Sequence, residues 1–302
     1  MKILIASSSP LAKDLLNYIK NSDHQLLGGI SSPDRASGRG QSVSSNDFAS
    51  YCHEIGVTCY KPSTNKELAD ILQKTQVELV ITLAYGRLIK TSELQIPKHG
   101  WLNVHFSLLP RWRGAAPVQR AIAAGDEQSG VTVFKLEQGL DTGPIYSTLS
   151  YPLNDRSRSD EVLKDLSSLC IQPVNQALIM IAAGEPATTQ ESEGVMLAPK
   201  ILKSEGRIDW NRDSKMLDRQ IRAFQPWPGA YTSLNGTRIE IIEARVSETA
   251  GAAGEVISIN PLLVGTGSGS LEIIRVKPEN KREMSSSDWL RGARITLPCA
   301  FE

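Results

Sequence analysis

Apolar residues follow two rhythms along the first half of the chain. Residues 2–6 (Lys-Ile-Leu-Ile-Ala) are a continuous apolar run of strand length. After the turn Ser7-Ser8-Ser9-Pro10, Leu11, Leu15, Leu16 and Ile19 recur at helical spacing, with Ser9 placed to cap the helix and Pro10 at its first position. A second apolar run at 26–30 completes a β-α-β opening, which predicts parallel pairing through a right-handed crossover. Residues 77–83 and 101–106 read as further strands, and a helix is expected near 116–124. Two more strands, 130–136 and 144–150, are joined by a glycine-rich loop. A long helical pattern then runs from 158 to 183 and stops at Gly184, with Pro186 just beyond. The alternation predicts an α/β fold around a parallel sheet.

From about residue 207 the pattern changes to short β-like runs at 230–234, 238–246, 254–259, 262–266 and 270–276. Asn235-Gly236 is a hairpin signal. Strands this short and closely spaced predict a small barrel or sandwich. With 302 residues, two domains are expected: 1–184, a linker at 185–206 with weak periodicity, and 207–302.

Composition narrows the function classes. Hydrophobic residues make up 40% and charged residues 22%, as in ordinary globular chains. The apolar runs fall short of the ~18 residues of a membrane span, and residues 1–6 read as a strand rather than a signal peptide, so no membrane partner is expected. Cys52, Cys59, Cys170 and Cys299 fit neither a zinc site nor a disulfide framework; reduced, packed thiols and a cytoplasmic location are expected. The 33 basic and 33 acidic residues cancel, and 200–302 carries 15 basic against 13 acidic residues. A general nucleic-acid binder would have a basic excess, so any RNA contact must come from local patches.

The chemistry-bearing segment is 103–114, Asn-Val-His-Phe-Ser-Leu-Leu-Pro-Arg-Trp-Arg-Gly. On a strand, Asn103 and His105 share a face. Ligands of open α/β sheets bind beyond the carboxyl ends of strands, so an amide and an imidazole meet where a substrate would lie. Gly139-Leu140-Asp141-Thr142-Gly143 adds a carboxylate in a glycine-flanked loop. Taken singly, a strand-end histidine is more often structural and a loop aspartate more often a turn residue. Together they suit acyl transfer to an amine. Asn103 and a protonated His105 can donate to a tetrahedral oxyanion. Asp141 can take the amine proton, and its charge would raise the His105 pKa. No metal or covalent nucleophile is needed; Ser107 lacks the Gly-x-Ser-x-Gly setting of a nucleophile.

These residues also carry a resemblance. Asn103 through Gln119, followed by Gly130-Val-Thr and Gly139 through Gly143, closely resembles the methionyl-tRNA formyltransferase family, a folate-dependent group. The likeness extends over the whole chain through Ser32 to Gly40, Ala84-Tyr85-Gly86, Arg207-Ile-Asp-Trp210 and Arg222 to Pro228. It implies a Rossmann-like catalytic domain with a carboxy-terminal barrel of OB type that binds tRNA, and Asn103, His105 and Asp141 as catalytic residues. It implies 10-formyltetrahydrofolate as a consumed co-substrate lying along Ser107, Leu108, Leu109 and Pro110, with its pterin near Tyr85 and Gly86. It implies initiator methionyl-tRNA as acceptor, contacted by Arg39 and Arg35 of a flexible 32–42 loop. A monomer is expected. Arg111 and Arg113 are further phosphate candidates, and Lys200 and Lys203 weaker ones. The turn Ser7-Ser8-Ser9-Pro10 departs from the family's common Gly-Thr-Pro.

Rival readings predict other features. A formyltransferase for an amino-sugar nucleotide would share the three catalytic residues but not the Arg-bearing loop. A glycinamide-ribonucleotide formyltransferase needs no second domain. A non-catalytic RNA-binding relative would lack one of the three. A dinucleotide-dependent dehydrogenase would carry Gly-x-Gly-x-x-Gly after the first strand, where Ser7-Ser8-Ser9-Pro10 stands.

Overall fold

The apolar runs of the first half become strands buried on both faces. Ile3, Leu4, Ile5 and Ala6 have no exposed surface, nor do Leu79, Val80 and Ile81. A computed structural model describes residues 1–37, 42–293 and 295–302. It divides into two compact units. The first comprises Met1–Pro117, Gln128–Pro152 and Leu163–Ala198; the second comprises Val118–Glu127, Leu153–Val162 and Pro199–Glu302. Residues 185–198 of the stretch read as a linker thus belong to the first unit.

Among the described residues of the first unit, seven strands form one sheet. Their order is Ile145–Pro152, Gln128–Lys135, Trp101–His105, Leu79–Thr82, Lys2–Ala6, Gln25–Ile30 and Cys59–Tyr60. The five from Trp101–His105 to Cys59–Tyr60 are parallel. Gln128–Lys135 runs antiparallel to Trp101–His105, and Ile145–Pro152 antiparallel to it in turn. The link between those last two is a short glycine-rich loop, which allows a hairpin but not the crossover a parallel pair needs.

Local signals explain the helices. Ser9 accepts from the Leu11 amide at 3.3 Å, with Pro10 opening a short 3-10 turn before Lys13–Lys20. Asn46 caps Asp47–Glu54 by accepting from Ala49 at 3.0 Å, and Thr64 caps Asn65–Thr75 by accepting from Glu67 at 3.1 Å. The 158–183 pattern resolves into Ser159–Leu169 and Ile171–Ala183. Pro173 has no amide hydrogen to offer the Leu169 carbonyl, which accounts for the break. Gly184, at φ 73°, ends the second helix as Glu185 N–H donates to the Met180 carbonyl at 2.9 Å. This stretch is long and apolar enough to cross a membrane by composition alone. Its Val174, Ala177, Leu178 and Ile181 are buried, and Ile171–Ala183 packs against Gln128–Lys135 and Ile145–Pro152.

The segment read as a flexible loop at 32–42 holds a small antiparallel hairpin, Arg35–Ser37 with Ser42–Ser44. In the second unit an antiparallel sheet runs Ala230–Leu234, Thr237–Ser247, Ser270–Pro278, Leu262–Gly265, Val256–Ile259. Asn235 and Gly236, both at positive φ, form the hairpin turn. The β-like reading of this half passes over the helix Ser214–Ala223, which buries Leu217 and Ile221 against the sheet in one cluster with Ile241, Leu271 and Val276.

Candidate active site

Asn103 and His105 stand on the strand Trp101–His105 with Val104 between them, so both face one side of the sheet. Register decides what holds Asn103. Thr82 lies opposite it on the neighbouring strand. The Thr82 hydroxyl donates to Asn103 Oδ1 at 2.7 Å and lies 3.1 Å from the Leu102 carbonyl. With its oxygen so engaged, the half-buried amide presents its NH2 as donor.

His105 is buried. Its Nε2–H donates to the Trp112 carbonyl at 2.8 Å, which leaves Nδ1 unprotonated in the neutral ring. Nδ1 lies 3.8 Å from Asp141 Oδ2, beyond hydrogen-bond range but close in electrostatic terms. Burial lowers the His105 pKa; Asp141 and the Trp112 carbonyl pull the other way and are outweighed. The expectation of a protonated His105 is therefore corrected: the imidazole is neutral near pH 7, because desolvation of the cation costs more than one nearby carboxylate returns.

Asp141 sits in left-handed backbone, φ 50°, between its two flanking glycines. Its Oδ2 accepts from the Gly114 amide at 2.7 Å. Gly114 is required there by close approach. At φ 128°, a side chain would lie 2.5 Å from the Ala198 carbonyl oxygen, because residues 113–114 pair with Leu197–Ala198. Asp141 is also gripped by Gln190, a residue the sequence reading does not single out. Gln190 Nε2 donates to the carbonyls of Asp141 and Gly143, both at 2.8 Å. Its Oε1 accepts from Arg113 Nη2 at 2.7 Å and Nε at 3.2 Å. Arg113, a phosphate candidate from sequence, is thus tied into the support of the Asp141 loop. Nothing in the spacing of 185–206 signals Gln190; it becomes visible only when Thr188 pairs with Ile145 and brings this segment beside the loop.

The remaining sequence candidates fall in three places. Ser107 is buried, and its hydroxyl donates to the Arg111 carbonyl at 2.7 Å. Thr132 Oγ1 braces the same turn, donating to the Ser107 carbonyl at 2.7 Å and accepting from Leu109 N at 3.2 Å. Leu108 packs over Gly130, where a side chain would lie 2.6 Å from Leu108 Cδ2, and a cis bond joins Leu109 to Pro110. Tyr85 is buried and belongs to the apolar cluster of Leu4, Ile30, Val80 and Trp101; burial raises its phenol pKa. Gly86 follows at φ 70°. Arg35 is exposed on the small hairpin, paired with Ser44, and Arg39 lies outside the described residues. The altered turn is self-satisfied: Ser8 Oγ and Ser32 Oγ share a 2.7 Å hydrogen bond, and Ser7 Oγ accepts from Ser9 N at 3.1 Å.

A buried neutral imidazole, a fixed amide donor and a carboxylate with its own backbone donor form a set suited to acyl transfer. Comparison with known proteins agrees. Residues 1–169 match the family described as Formyl transferase, and residues 200–294 match Formyl transferase, C-terminal domain. The chain belongs to the formyl transferase family, in the branch of the methionyl-tRNA formyltransferases. It is 36% identical over 308 residues to a methionyl-tRNA formyltransferase of Cutibacterium acnes, covering 98% of each chain. It is 36% identical over 306 residues to one of an Arthrobacter strain, covering 100% of each. Among solved structures it resembles HypX from Aquifex aeolicus in complex with tetrahydrofolic acid, with a TM-score of 0.68 and 19% identity. That match covers 96% of this chain but 47% of HypX, so the chain spans about half of that protein's length.

Proposed function

We propose that this protein transfers the formyl group of 10-formyltetrahydrofolate to the free amine of methionine on initiator methionyl-tRNA. The observation that carries the reading is Asp141 Oδ2 held 3.8 Å from His105 Nδ1, beside the anchored amide of Asn103. The full-length relatives named for this reaction set it in context.

The amine attacks the formyl carbon, and charge develops on the formyl oxygen. The Asn103 NH2 donates to that oxygen, its direction held by the Thr82 hydroxyl. The amine must lose a proton as the C–N bond forms. The Asp141 carboxylate takes it, and the unprotonated His105 Nδ1 beside it offers a second acceptor. Collapse of the intermediate breaks the bond to the folate nitrogen, which takes up the proton held by Asp141, and leaves the formyl group on methionine. Folate lies along Ser107, Leu108, Leu109 and Pro110 with its pterin toward Tyr85 and Gly86. The Ser107 hydroxyl is spent on Arg111, so the contacts of that turn come from its backbone and from Leu108. Arg35 and Arg39 meet the acceptor stem.

The test offers 10-formyltetrahydrofolate labelled in the formyl carbon to methionyl-tRNA and to an amino-sugar nucleotide side by side. Label on the methionine amine supports the reading. Label on the sugar amine alone overturns it in favour of the sugar-directed rival.

A further inference from the structure

The far edge of the parallel sheet carries two thiols for which formyl transfer has no use. Cys59 lies on the edge strand Cys59–Tyr60, and its register partner on Gln25–Ile30 is Gly29. Residues in register on adjacent strands direct their side chains to the same face. A side chain at position 29 would meet Cys52 Sγ at 2.9 Å and the Phe48 ring at 2.9 Å. The absent side chain of Gly29 therefore opens the space in which the Cys52 sulfur lies, on the face that Cys59 shares.

Cys52 comes from the last turn of the helix Asp47–Glu54. The chain returns at once to the edge strand, and Val57 N–H donates to the Cys52 carbonyl at 2.8 Å, tying that return down. The two thiols interact, and the interaction favours the proton on Cys52 and the thiolate on Cys59. Cys52 is fully buried, whereas Cys59 keeps partial access to solvent. The interaction with Cys52, helped by Lys61 nearby, lowers the Cys59 pKa against its own partial burial and against Asp34, which is ion-paired to Lys61 at 2.6 Å. The same interaction and burial push the Cys52 thiol up. One sulfur is thus accessible and activated, and the other is held behind it. That division of roles is typical of an attacking and a resolving cysteine.

We propose that Cys59 and Cys52 form a peroxide-oxidisable dithiol. The Cys59 thiolate attacks a peroxide oxygen; the O–O bond breaks, hydroxide leaves as water after taking a proton, and Cys59 becomes a sulfenic acid. The Cys52 sulfur then attacks the Cys59 sulfur. The S–S bond forms, the S–O bond breaks, and the departing hydroxide leaves as water with the Cys52 proton. Two thiols and one hydrogen peroxide give one disulfide and two waters, the two electrons passing from sulfur to the peroxide. Thiol reductants reverse it.

The experiment treats the full chain with hydrogen peroxide and maps peptides by mass spectrometry under non-reducing conditions, after measuring alkylation of each cysteine by iodoacetamide at pH 7.5. Cys299 is the internal reference, being half-buried with its thiol raised by burial alone. The expected result is alkylation of Cys59 about 10-fold or more faster than Cys299, with a peroxide-dependent peptide linking 52 to 59 that dithiothreitol removes. Cys52→Ser should stop at a sulfenic acid on Cys59, trapped by dimedone, and Cys59→Ser should leave Cys52 reduced. If either variant fails to fold, the wild-type map decides. Equal alkylation of Cys59 and Cys299, or absence of the 52–59 peptide while other cysteines oxidise, overturns the proposal.

Discussion

In the first unit the strand Trp101–His105 carries Asn103 and His105 on one face, with Thr82 opposite on the next strand. In the second, Ile239, Ile241, Val264, Leu271, Ile273 and Val276 turn into one apolar cluster with Trp210, Trp289 and Phe301. Polar atoms are handled differently in the two. Trp210 Nε1 donates to Thr232 Oγ1 at 2.9 Å, and Thr232 Oγ1 donates to the Glu302 carbonyl at 2.7 Å, so that pair is absorbed into the fold. Around Asn103 and Asp141, hydrogen bonds fix one end of each side chain and leave the other end to act. Topology explains the contrast. Parallel strands share a carboxyl end, where side chains and the following loops gather. Antiparallel neighbours end on opposite sides, so their inward positions serve packing.

Breaking the first unit's site should cost turnover far more than stability. Asp141→Asn keeps an acceptor for the Gly114 amide but loses the base, and single-turnover formylation should slow by ~10²–10⁴-fold with folate affinity little changed. Asn103→Ala removes one oxyanion donor and should cost ~10²–10³-fold in kcat. Gln190→Ala loosens the Asp141 loop without touching substrate. It should cost ~10-fold to 10²-fold by misplacing the carboxylate, and Gln190→Glu, which keeps an acceptor for Arg113 but loses the two donated bonds, should not restore activity.

Breaking the second unit's core should do the reverse. Ile241→Ala should destabilise by about 2–5 kcal/mol in denaturant unfolding while leaving kcat within about twofold for the folded protein. A turnover loss as large as that of Asn103→Ala would mean that the second unit's core serves the chemistry as directly as the first unit's site.

The smallest expected effect concerns pH. The His105 pKa is lowered in the folded chain, so as pH falls the unfolded chain takes up this proton first. The stability due to the neutral ring is present above the ordinary histidine value of about 6.5 and is lost as pH falls below it. His105→Gln should therefore lose less stability than the wild type between pH 7 and pH 5, as read from unfolding midpoints.

Much of this was legible in the chain itself. The apolar runs at 2–6, 77–83 and 101–106 marked strands because burial on both faces demands unbroken apolar sequence, and the spacing of Asn103 and His105 announced a shared face. Other parts depended on contacts between distant residues. Thr82 supports Asn103 only through strand register, and Gln190 reaches Asp141 across 49 positions of sequence. The neutral state of His105 required its burial, which neither neighbouring charge nor composition reveals. The helix Ser214–Ala223 was hidden because its buried face rests on Leu217 and Ile221 with polar residues around them.

In the proposed reaction Asn103 and Asp141, from separate stretches of chain, act on one carbonyl carbon. A double-mutant cycle on Asn103→Ala and Asp141→Asn, read by single-turnover formylation of methionyl-tRNA, tests it directly. Groups serving one transition state lose rate non-additively. The double variant is predicted to be no more than ~10-fold slower than the slower single variant. Losses that multiply in full would mean that the two residues act at independent places and do not share one transition state.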